Sequence, residues 1–383
     1  VRKLVALFAA GAVVALDREK RISIEKVIPS APWGAGTKMM GGVSFAGVSR
    51  LSLRTPTPIV GCDSSLAATE LIPVHFIRER IREPLGQVEL ENLLAQAIGK
   101  NINQARKDAA VSLDVDELDV VLAKSRVVHF KIDNHEVLNP LGFRAQKIEA
   151  LVELTLTTRT VYEEAKRVTG SDQIFFTETA HAELSTLEKV ADSPIRLLRL
   201  RPHHSSYFTR ESAQIGYAVA RGVLGWTVSC FEQAIGEAWG VSHAVARRIY
   251  QDELAGAHTE ATSKFLSKLI KVCSQLFTKE IEASGLKGKV YVDTNMPLPF
   301  DLPAKKRTMT LQEIPLNVIL EKFGFSLSSF HTHADTVLAE LHPSLLAGFF
   351  EHFYDRGTGN LNQWLRKHLN WLGAPLDKSD KIQ

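Results

Sequence analysis

The chain has 383 residues and a mass of 42.4 kDa, long enough for two or three domains, because single cores usually stop growing at about 250–300 residues. Its 45% hydrophobic and 23% charged residues are typical of a soluble globular protein and exclude disordered, collagen-like and coiled-coil chains. Lys and Arg number 46 against 43 Asp and Glu, and this net charge of +3 does not indicate a nucleic-acid partner. The three cysteines, Cys62, Cys230 and Cys273, form no CxxC motif, so we expect a reducing cytoplasm rather than a disulfide framework.

The first seventy residues show the pattern of strands and turns. The apolar run 4–16 has 13 residues, fewer than the roughly 20 that a bilayer requires. Arg2 and Lys3 precede it, so a short signal peptide is an alternative to a buried strand or strand pair. The chain begins with Val rather than Met, which leaves open that N-terminal sequence is missing. Residues 34–38 (GAGTK) fit neither phosphate-loop template and predict a plain loop. We expect strands at 4–16, 22–28 and 59–61.

A compact strand–helix–strand–strand unit is predicted next. A strand at 74–80 precedes a helix from about Val88, whose apolar residues recur every three and four positions. A strand at 126–132 follows. In residues 148–158, apolar positions alternate with Glu and Thr, which predicts a half-buried strand.

Further elements are predicted toward the C-terminus, where helices are expected to dominate after about residue 293. The stretch 260–284 has the clearest apolar face, and the helical stretch 231–250 is interrupted near Gly240. Other expected elements are a helix at 160–168, a pair of strands at 195–201 and 214–221, and a strand at 289–293.

Residues 130–143 (FKIDNHEVLNPLGF), leading into strand 148–158, resemble the inserted 1C subdomain of FtsA, the bacterial cell-division homologue of actin with PilM-like relatives in pilus assembly. The resemblance continues more faintly through the strand pair 195–221 and helix 260–284. It implies an α/β, actin-like (ribonuclease H-like) fold with two lobes. The implied divisions are lobe one at 1–70 and 155–192, the insertion at 71–154, lobe two at 193–345 and a tail at 346–383.

The loops that hold ATP and Mg²⁺ in actin-like proteins depart from the family pattern together. Those loops use glycines, because backbone N–H groups must approach phosphates, and an Asp that holds the Mg²⁺ shell. This chain has FAAGA at 8–12, RPHHSS at 201–206 and DTNM at 293–296. We therefore predict weakened or lost ATP binding, so that the protein is not an enzyme. By resemblance, the positions that correspond to these three loops are Gly11, Ser205, Ser206, Asp293 and Thr294. Gly225 corresponds to the stretch that follows the second loop.

The segment 361–372 (LNQWLRKHLNWL) predicts a short amphipathic helix with a basic side and tryptophans, a pattern that suits a membrane surface. A terminal helix packed on the protein's own core is the alternative. FtsA-like proteins end in a membrane-targeting helix, and this resemblance favours membrane contact. The predicted contact residues are Leu361, Trp364, Leu365, Arg366, Lys367, Leu369, Trp371 and Leu372.

His331, His333 and Asp335 form an HxHxD pattern that is compatible with a divalent metal site. No HExxH or second motif accompanies it, and the pattern is explained more simply by His333 and Asp335 preceding or capping a helix that starts near Thr336. A metal-dependent hydrolase using these three residues is the alternative from another class of function. A pilus-assembly actin-like ATPase is a further alternative.

The sequence as a whole favours a non-catalytic, cytoplasmic scaffold that lies on the inner face of the bacterial cell membrane. The resemblance implies division proteins as partners, among them an FtsZ-like tubulin homologue, and no nucleic acid. It also implies that the insertion is a surface for self-association or for recruiting later division proteins.

Overall fold

The first of three sheets contains six strands, most of them from the N-terminal sequence. The computed structural model describes residues 2–7, 11–16, 21–28, 58–169, 174–294, 297–327, 343–354, 361–362 and 364–365. The strands are β1 (Arg2–Leu7), β2 (Gly11–Leu16), β3 (Arg21–Ile28), β4 (Ile59–Cys62), β9 (Phe175–Glu178) and β16 (Ser326–Leu327). Their order is β16-β3-β2-β1-β4-β9, with β1, β2 and β3 antiparallel and β4 and β9 parallel to β1. The predicted strand pair within 4–16 is confirmed.

A second six-stranded sheet repeats this arrangement. Its strands are β10 (Ile195–Leu200), β11 (Ser205–Ser212), β12 (Tyr217–Leu224), β13 (Gly288–Thr294), β14 (Ala304–Lys306) and β15 (Met309–Glu313). The order is β12-β11-β10-β13-β15-β14, with β10, β11 and β12 antiparallel and β13 and β15 parallel to β10. Both sheets thus place a three-stranded meander beside two parallel strands. The described chain therefore contains two lobes of the same topology.

A smaller sheet interrupts the first lobe between β4 and β9. It consists of β5 (Ala67–Ile77), β6 (Val120–Ile132), β7 (His135–Val137) and β8 (Lys147–Thr158), in the order β5-β8-β6-β7. The long helix α1 (Gln87–Leu113) covers one face of this sheet and buries its apolar stripe there. The insertion therefore has its own core of leucine, valine, isoleucine and phenylalanine side chains. Its sheet extends past the predicted bounds of 71–154 at both ends.

Strand β8 is buried on both faces, so the prediction of a half-buried strand is wrong. One face carries Val152 and its apolar neighbours into the core beneath α1. The other face lies against the first lobe, where Glu153 and Thr157 are fully buried. Polar residues can occupy a buried face when each has a partner, and alternation alone does not reveal such partners.

The helices agree with the predicted positions more closely than the strands do. After α1 come α2 (Arg159–Thr169), α3 (Thr179–Leu187), α4 (Ser229–Trp239), α5 (His243–Leu254), α6 (Glu260–Ala283), α7 (Leu316–Lys322) and α8 (Pro343–Tyr354). Gly240 ends α4 with a φ of +64°, a conformation that favours glycine, which explains the predicted interruption.

Two further predictions, both about strands of the second lobe, are wrong. The hairpin partner of β10 is β11 rather than 214–221, and strands β14 and β15 occupy a region where helices were expected.

The second-lobe prediction of 193–345 also needs correction at its end. Strand β16 pairs with β3 of the first sheet, and α8 packs against that sheet, where Gly348 lies beside Ile59. Phe349 and Phe350 of α8 belong to a core that contains side chains of both lobes. The chain therefore returns to the first lobe after completing the second, because the apolar face of α8 is buried there.

Candidate functional site

Five charged side chains meet between the two lobes. We call Asp63, Glu183, Arg199, Arg201 and Asp293 the cleft cluster. Asp63 follows β4 and Glu183 lies on α3, both in the first lobe. The two arginines lie on and directly after β10, and Asp293 lies on the neighbouring strand β13 of the second lobe. The cluster thus forms at the carboxyl ends of adjacent strands, the edge where α/β sheets place their ligands.

The two arginines connect all three carboxylates of the cleft cluster. Arg199 Nη1 lies 2.9 Å from Asp63 Oδ2, and Arg199 Nε lies 3.3 Å from both Glu183 Oε2 and Asp293 Oδ2. Arg201 Nε lies 3.2 Å from Asp63 Oδ2, and its Nη2 contacts Asp293 Oδ2. Arg199 is only 2% exposed, and Asp293 only 1%. Burial of these charges is tolerated because each contacts a partner of opposite sign.

A proton on Glu183 balances the charge of the cleft cluster. Three carboxylates face two guanidinium groups, which leaves one negative charge in excess. Burial raises the pKa of Glu183 to about 8, with Asp293 acting in the same direction against the arginines. Burial would also raise the pKa of Asp63, but Arg199 and Arg201 hold it below its ordinary value. The excess charge is therefore removed at Glu183.

The hydroxyl of Ser344 on α8 is consistent with this proton. It contacts Glu183 Oε1 and lies 3.1 Å from Asp293 Oδ2. A hydroxyl has a single proton to donate, so it cannot donate to two ionised carboxylates at once. A protonated Glu183 donates to Ser344 Oγ, which then donates to Asp293. Ser344 thereby connects the returning helix to both lobes.

The predicted nucleotide-loop residues are brought partly together. Asp293 lies at the centre of the cleft cluster, bound to arginines. Ser205 and Ser206 are buried in β11, and Ser205 Oγ accepts a hydrogen bond from the Arg201 backbone N–H at 3.3 Å. The Gly225 N–H donates to Glu280 Oε2 at 3.0 Å. Gly11 begins β2, where it pairs with Ala6 and Ile28, and Thr294 ends β13. Their role in nucleotide binding stays a prediction.

Sequence reasoning missed Asp63, Glu183 and Arg199. One signal was present, because Arg199 interrupts the otherwise apolar run Leu197, Leu198 and Leu200 in β10. A charged side chain within a buried strand indicates a paired charge or a site. Glu183 carried no comparable signal, since α3 mixes polar and apolar residues on all sides.

A second buried group of charges joins the insertion to the first lobe. This junction cluster consists of Lys124 and Arg126 on β6, Glu153 on β8, His181 on α3 and Glu351 on α8. Arg126 donates two parallel hydrogen bonds to the Glu153 carboxylate, both at 2.8 Å. Lys124 Nζ lies 2.9 Å from Glu351 Oε1, and His181 Nε2 lies 3.0 Å from Glu153 Oε2. Burial alone would raise the pKa of Glu153, but Arg126 and Lys124 hold it well below its ordinary value. The insertion is thus fixed to the lobe by ion pairs as well as by apolar packing.

The C-terminal segment packs on the core of the insertion. Residues 361–362 and 364–365 are helical, Leu365 is fully buried, and Leu361 and Trp364 pack beside it. Asn362 Oδ1 accepts a hydrogen bond from the Val127 N–H of β6 at 2.9 Å. Leu365 is therefore not available to a bilayer in this structure, which corrects the prediction at that position. Arg366, Lys367, Leu369, Trp371 and Leu372 lie outside the described residues.

The predicted metal ligands His331, His333 and Asp335 also lie outside the described residues. Within the described part of the chain, no group of three or more His, Cys, Asp or Glu side chains is arranged to hold a metal ion. Across the same residues, no helix combines the length and the apolar character that crossing a membrane requires.

The two paired sheets and the insertion define an α/β protein of actin-like fold, and the predicted fold class is confirmed. No family profile matches the chain, and no curated protein matches it. Among solved structures, it is similar to the PilM-PilN type IV pilus biogenesis complex, with 13% identity, a TM-score of 0.54, and coverage of 91% of this chain and 97% of that chain. At this identity the likeness shows the fold alone.

Two other solved structures have lower TM-scores. A protein of actin-like ATPase fold and unknown function from Bacteroides thetaiotaomicron is 9% identical over 84% of this chain and 94% of that chain, with a TM-score of 0.35. The ethanolamine utilization protein EutJ from Carboxydothermus hydrogenoformans is 11% identical over 42% of this chain and 58% of that chain, with a TM-score of 0.26. Membership of the FtsA family in particular stays a prediction.

Proposed function

We propose that this chain is a non-catalytic actin-like scaffold that binds partner proteins of an envelope assembly machine. The observation that carries the proposal is the direct contact between the two second-lobe loops that resemble nucleotide loops. Arg201 of the first loop binds both the backbone and the carboxylate of Asp293 in the other. In the family pattern these loops face ATP and Mg²⁺ rather than each other.

The charges of the cleft cluster support the loss of nucleotide binding. A carboxylate holds Mg²⁺ or its water shell only when its oxygens are free to coordinate. Here Asp63 and Asp293 both contact Arg199 and Arg201. Separating a buried ion pair leaves uncompensated charge, at a cost of about 3–5 kcal/mol. ATP and Mg²⁺ would have to overcome that cost before gaining any contact.

The nucleotide half of the proposal is tested by isothermal titration of the full chain with ATP, with and without Mg²⁺. We expect no heat of binding up to millimolar ligand. A tight affinity that depends on Mg²⁺ would show that the cleft opens to nucleotide and would reject the proposal. An Arg201→Gly variant, which removes the guanidinium group that contacts Asp293, is titrated in the same way.

Two assembly machines, for cell division and for pilus biogenesis, could supply the proposed partner proteins. The resemblance at residues 130–143 favours cell division, with an FtsZ-like partner. The solved PilM structure is a complex with PilN from pilus biogenesis, and it supports a pilus role equally. Binding assays against an FtsZ-like protein and against a PilN-like protein separate the two roles. Binding of neither protein would reject both roles.

Contact with the inner-membrane surface is proposed for the residues that follow Leu365. They include the basic and aromatic side chains Arg366, Lys367 and Trp371, which suit a bilayer interface. Co-sedimentation with anionic liposomes compares the full chain with a chain that ends at Leu365, which keeps the packed residues. We expect the shorter chain to lose binding and the full chain to bind less at high salt. Equal sedimentation of both would reject membrane contact by this segment.

A further inference from the structure

A cavity separates the insertion from the meander of the second lobe. Its volume is about 320 Å³, at the small end of the range typical of ligand pockets. Strand β5 of the insertion forms one wall, and β11, β12 and the turn between them form the other. Glu178 at the end of β9 and His181 on α3 also line the cavity. This cavity is distinct from the cleft cluster, none of whose residues line it.

Every cationic or titratable basic side chain that lines the cavity already has an acidic partner. Arg221 Nη2 lies 2.6 Å from Glu70 Oε1. His75 lies 3.0 Å from Glu149, and His181 lies 3.0 Å from Glu153. None of these three groups is left to compensate a further carboxylate.

Glu178 is the cavity-lining carboxylate that none of these three basic groups contacts. It is 2% exposed, and its Oε2 accepts a hydrogen bond from the Thr69 N–H at 2.7 Å. Its Oε1 has no hydrogen-bond partner in the part of the chain that the structure describes. A buried carboxylate oxygen without a partner is costly, because burial removes the water that would otherwise stabilise its charge. Burial raises the pKa of Glu70, and the nearby charge of Glu178 raises it further, so the two carboxylates share one region of the cavity.

The remaining walls are largely apolar. Tyr217 adds a phenol ring to the lining. The apolar side chains that line the cavity are Leu71, Pro73, Leu151, Phe208, Ile215 and Val219. A ligand that matches this lining has one positive charge that donates hydrogen bonds and a short apolar stem. Alkylammonium and alkylguanidinium groups have this combination.

We propose that this cavity binds an organic cation, with Glu178 as its counter-ion. The cation is an ammonium or guanidinium group on an apolar stem, carried either by a small amine or by a Lys or Arg side chain of a partner protein. The inference does not depend on the scaffold role, because it rests on the charges and walls of the cavity alone.

The test compares the full chain with a Glu178→Gln variant. The amide oxygen of Gln accepts the Thr69 hydrogen bond, so the substitution removes the charge and keeps the shape. Glu237→Gln is the matched control, because it removes one carboxylate from the surface of α4, where Glu237 only accepts from Gln233. Calorimetric titrations use n-butylguanidinium, the peptide acetyl-Leu-Lys-Leu-amide, and acetyl-Leu-Gln-Leu-amide as the neutral probe.

We expect at least one cationic probe to bind the parent and the control, and Glu178→Gln to weaken that affinity at least tenfold. Binding of n-butylguanidinium shows that a small free cation is sufficient, and binding of the lysine peptide alone indicates a partner side chain. The neutral peptide is expected not to bind. Failure of both cations to bind the parent, or equal binding by parent and Glu178→Gln, overturns the proposal.

The melting temperature of the protein without a bound cation distinguishes this role from a purely structural one. If Glu178 serves as a counter-ion for an absent cation, Glu178→Gln leaves the melting temperature unchanged or raises it. If Glu178 only supports Thr69 through its charge, the variant melts several degrees lower and no probe shifts either melting temperature. That second pattern rejects the proposal.

Discussion

Arg201 binds Asp293 twice: its Nη1 donates to the backbone carbonyl of Asp293 at 3.1 Å, and its Nη2 contacts the carboxylate. Arg201 directly follows β10, and Asp293 lies near the end of the neighbouring strand β13. Their contact joins positions that, by resemblance, lie on either side of a nucleotide in actin-like ATPases. The two arginines of the cleft cluster, which belong to the second lobe, also contact Asp63 and Glu183 of the first, and these contacts hold the lobes together.

Replacement of Arg199 by Met is expected to destabilise the protein by about 3–5 kcal/mol, because the carboxylates of Asp63 and Asp293 then share one arginine, Arg201. Arg196→Met on the same strand is the control. Arg196 makes only a 3.5 Å contact with the Pro194 carbonyl, so we expect a change within about 0.5 kcal/mol. Urea unfolding of the three proteins measures the difference. Equal stabilities would show that the cleft cluster contributes little.

The free energy of unfolding is expected to depend on pH through Glu183. Its pKa is raised from 4.5 to about 8 in the folded protein, chiefly by burial. The folded protein therefore holds a proton that the unfolded chain releases above 4.5. This contribution is fully present below 4.5, falls as pH rises by at most about 1.4 kcal/mol per unit, and is absent above about 8.

Glu183→Gln tests that contribution, because the amide stays neutral at every pH. Urea unfolding at pH values from 5 to 9 gives the stability of the parent minus that of the variant. We expect this difference to decrease toward pH 8 and then to stay constant. A difference that does not vary with pH would mean that Glu183 is ionised in the folded protein at neutral pH.

Leu365→Ala is expected to destabilise the insertion by about 2–5 kcal/mol, since the side chain is fully buried in the core of the insertion. Leu138→Ala is the matched control, because Leu138 is 92% exposed and the same atoms are removed. Urea unfolding and limited proteolysis of the C-terminal segment measure the effect. If both variants behave like the parent, the segment does not pack on the core in solution.

The three cysteines are expected to differ in reactivity. A hydrogen bond from the Cys273 thiol lowers the pKa of Cys230 to about 7, and Cys230 is partly exposed. Burial, together with the charges of Asp63 and Glu178, raises the pKa of Cys62 well above its ordinary value. Because the thiolate is the reactive form, iodoacetamide at pH 7.5 should modify Cys230 first and Cys62 only after unfolding. Mass spectrometry of the digested protein measures the order, and early modification of Cys62 would contradict it.

Local patterns predicted most of the elements that carry an uninterrupted apolar face. Helix α6 was expected at 260–284 and spans Glu260–Ala283, because its periodicity persists over many turns. Strand β11 was missed, since its sequence SSYFTRES has the polarity of a loop. Ser205, Ser206 and Arg210 are nonetheless buried there. The ionic partner of Arg210 is Glu188, which follows α3, and a local pattern cannot show such a partner.

Local patterns thus account for most of the helices and strands, since each depends on neighbours a few positions apart, whereas the insertion was expected from a resemblance. The charge clusters have a different origin. Lys124 and Glu351 are 227 positions apart, and Arg199 and Asp293 are 94 positions apart. Whether a buried charge has a partner depends on which strands and helices the fold places side by side. Only the tertiary structure therefore revealed that the cleft is closed by ion pairs and that Glu178 has none with the described residues.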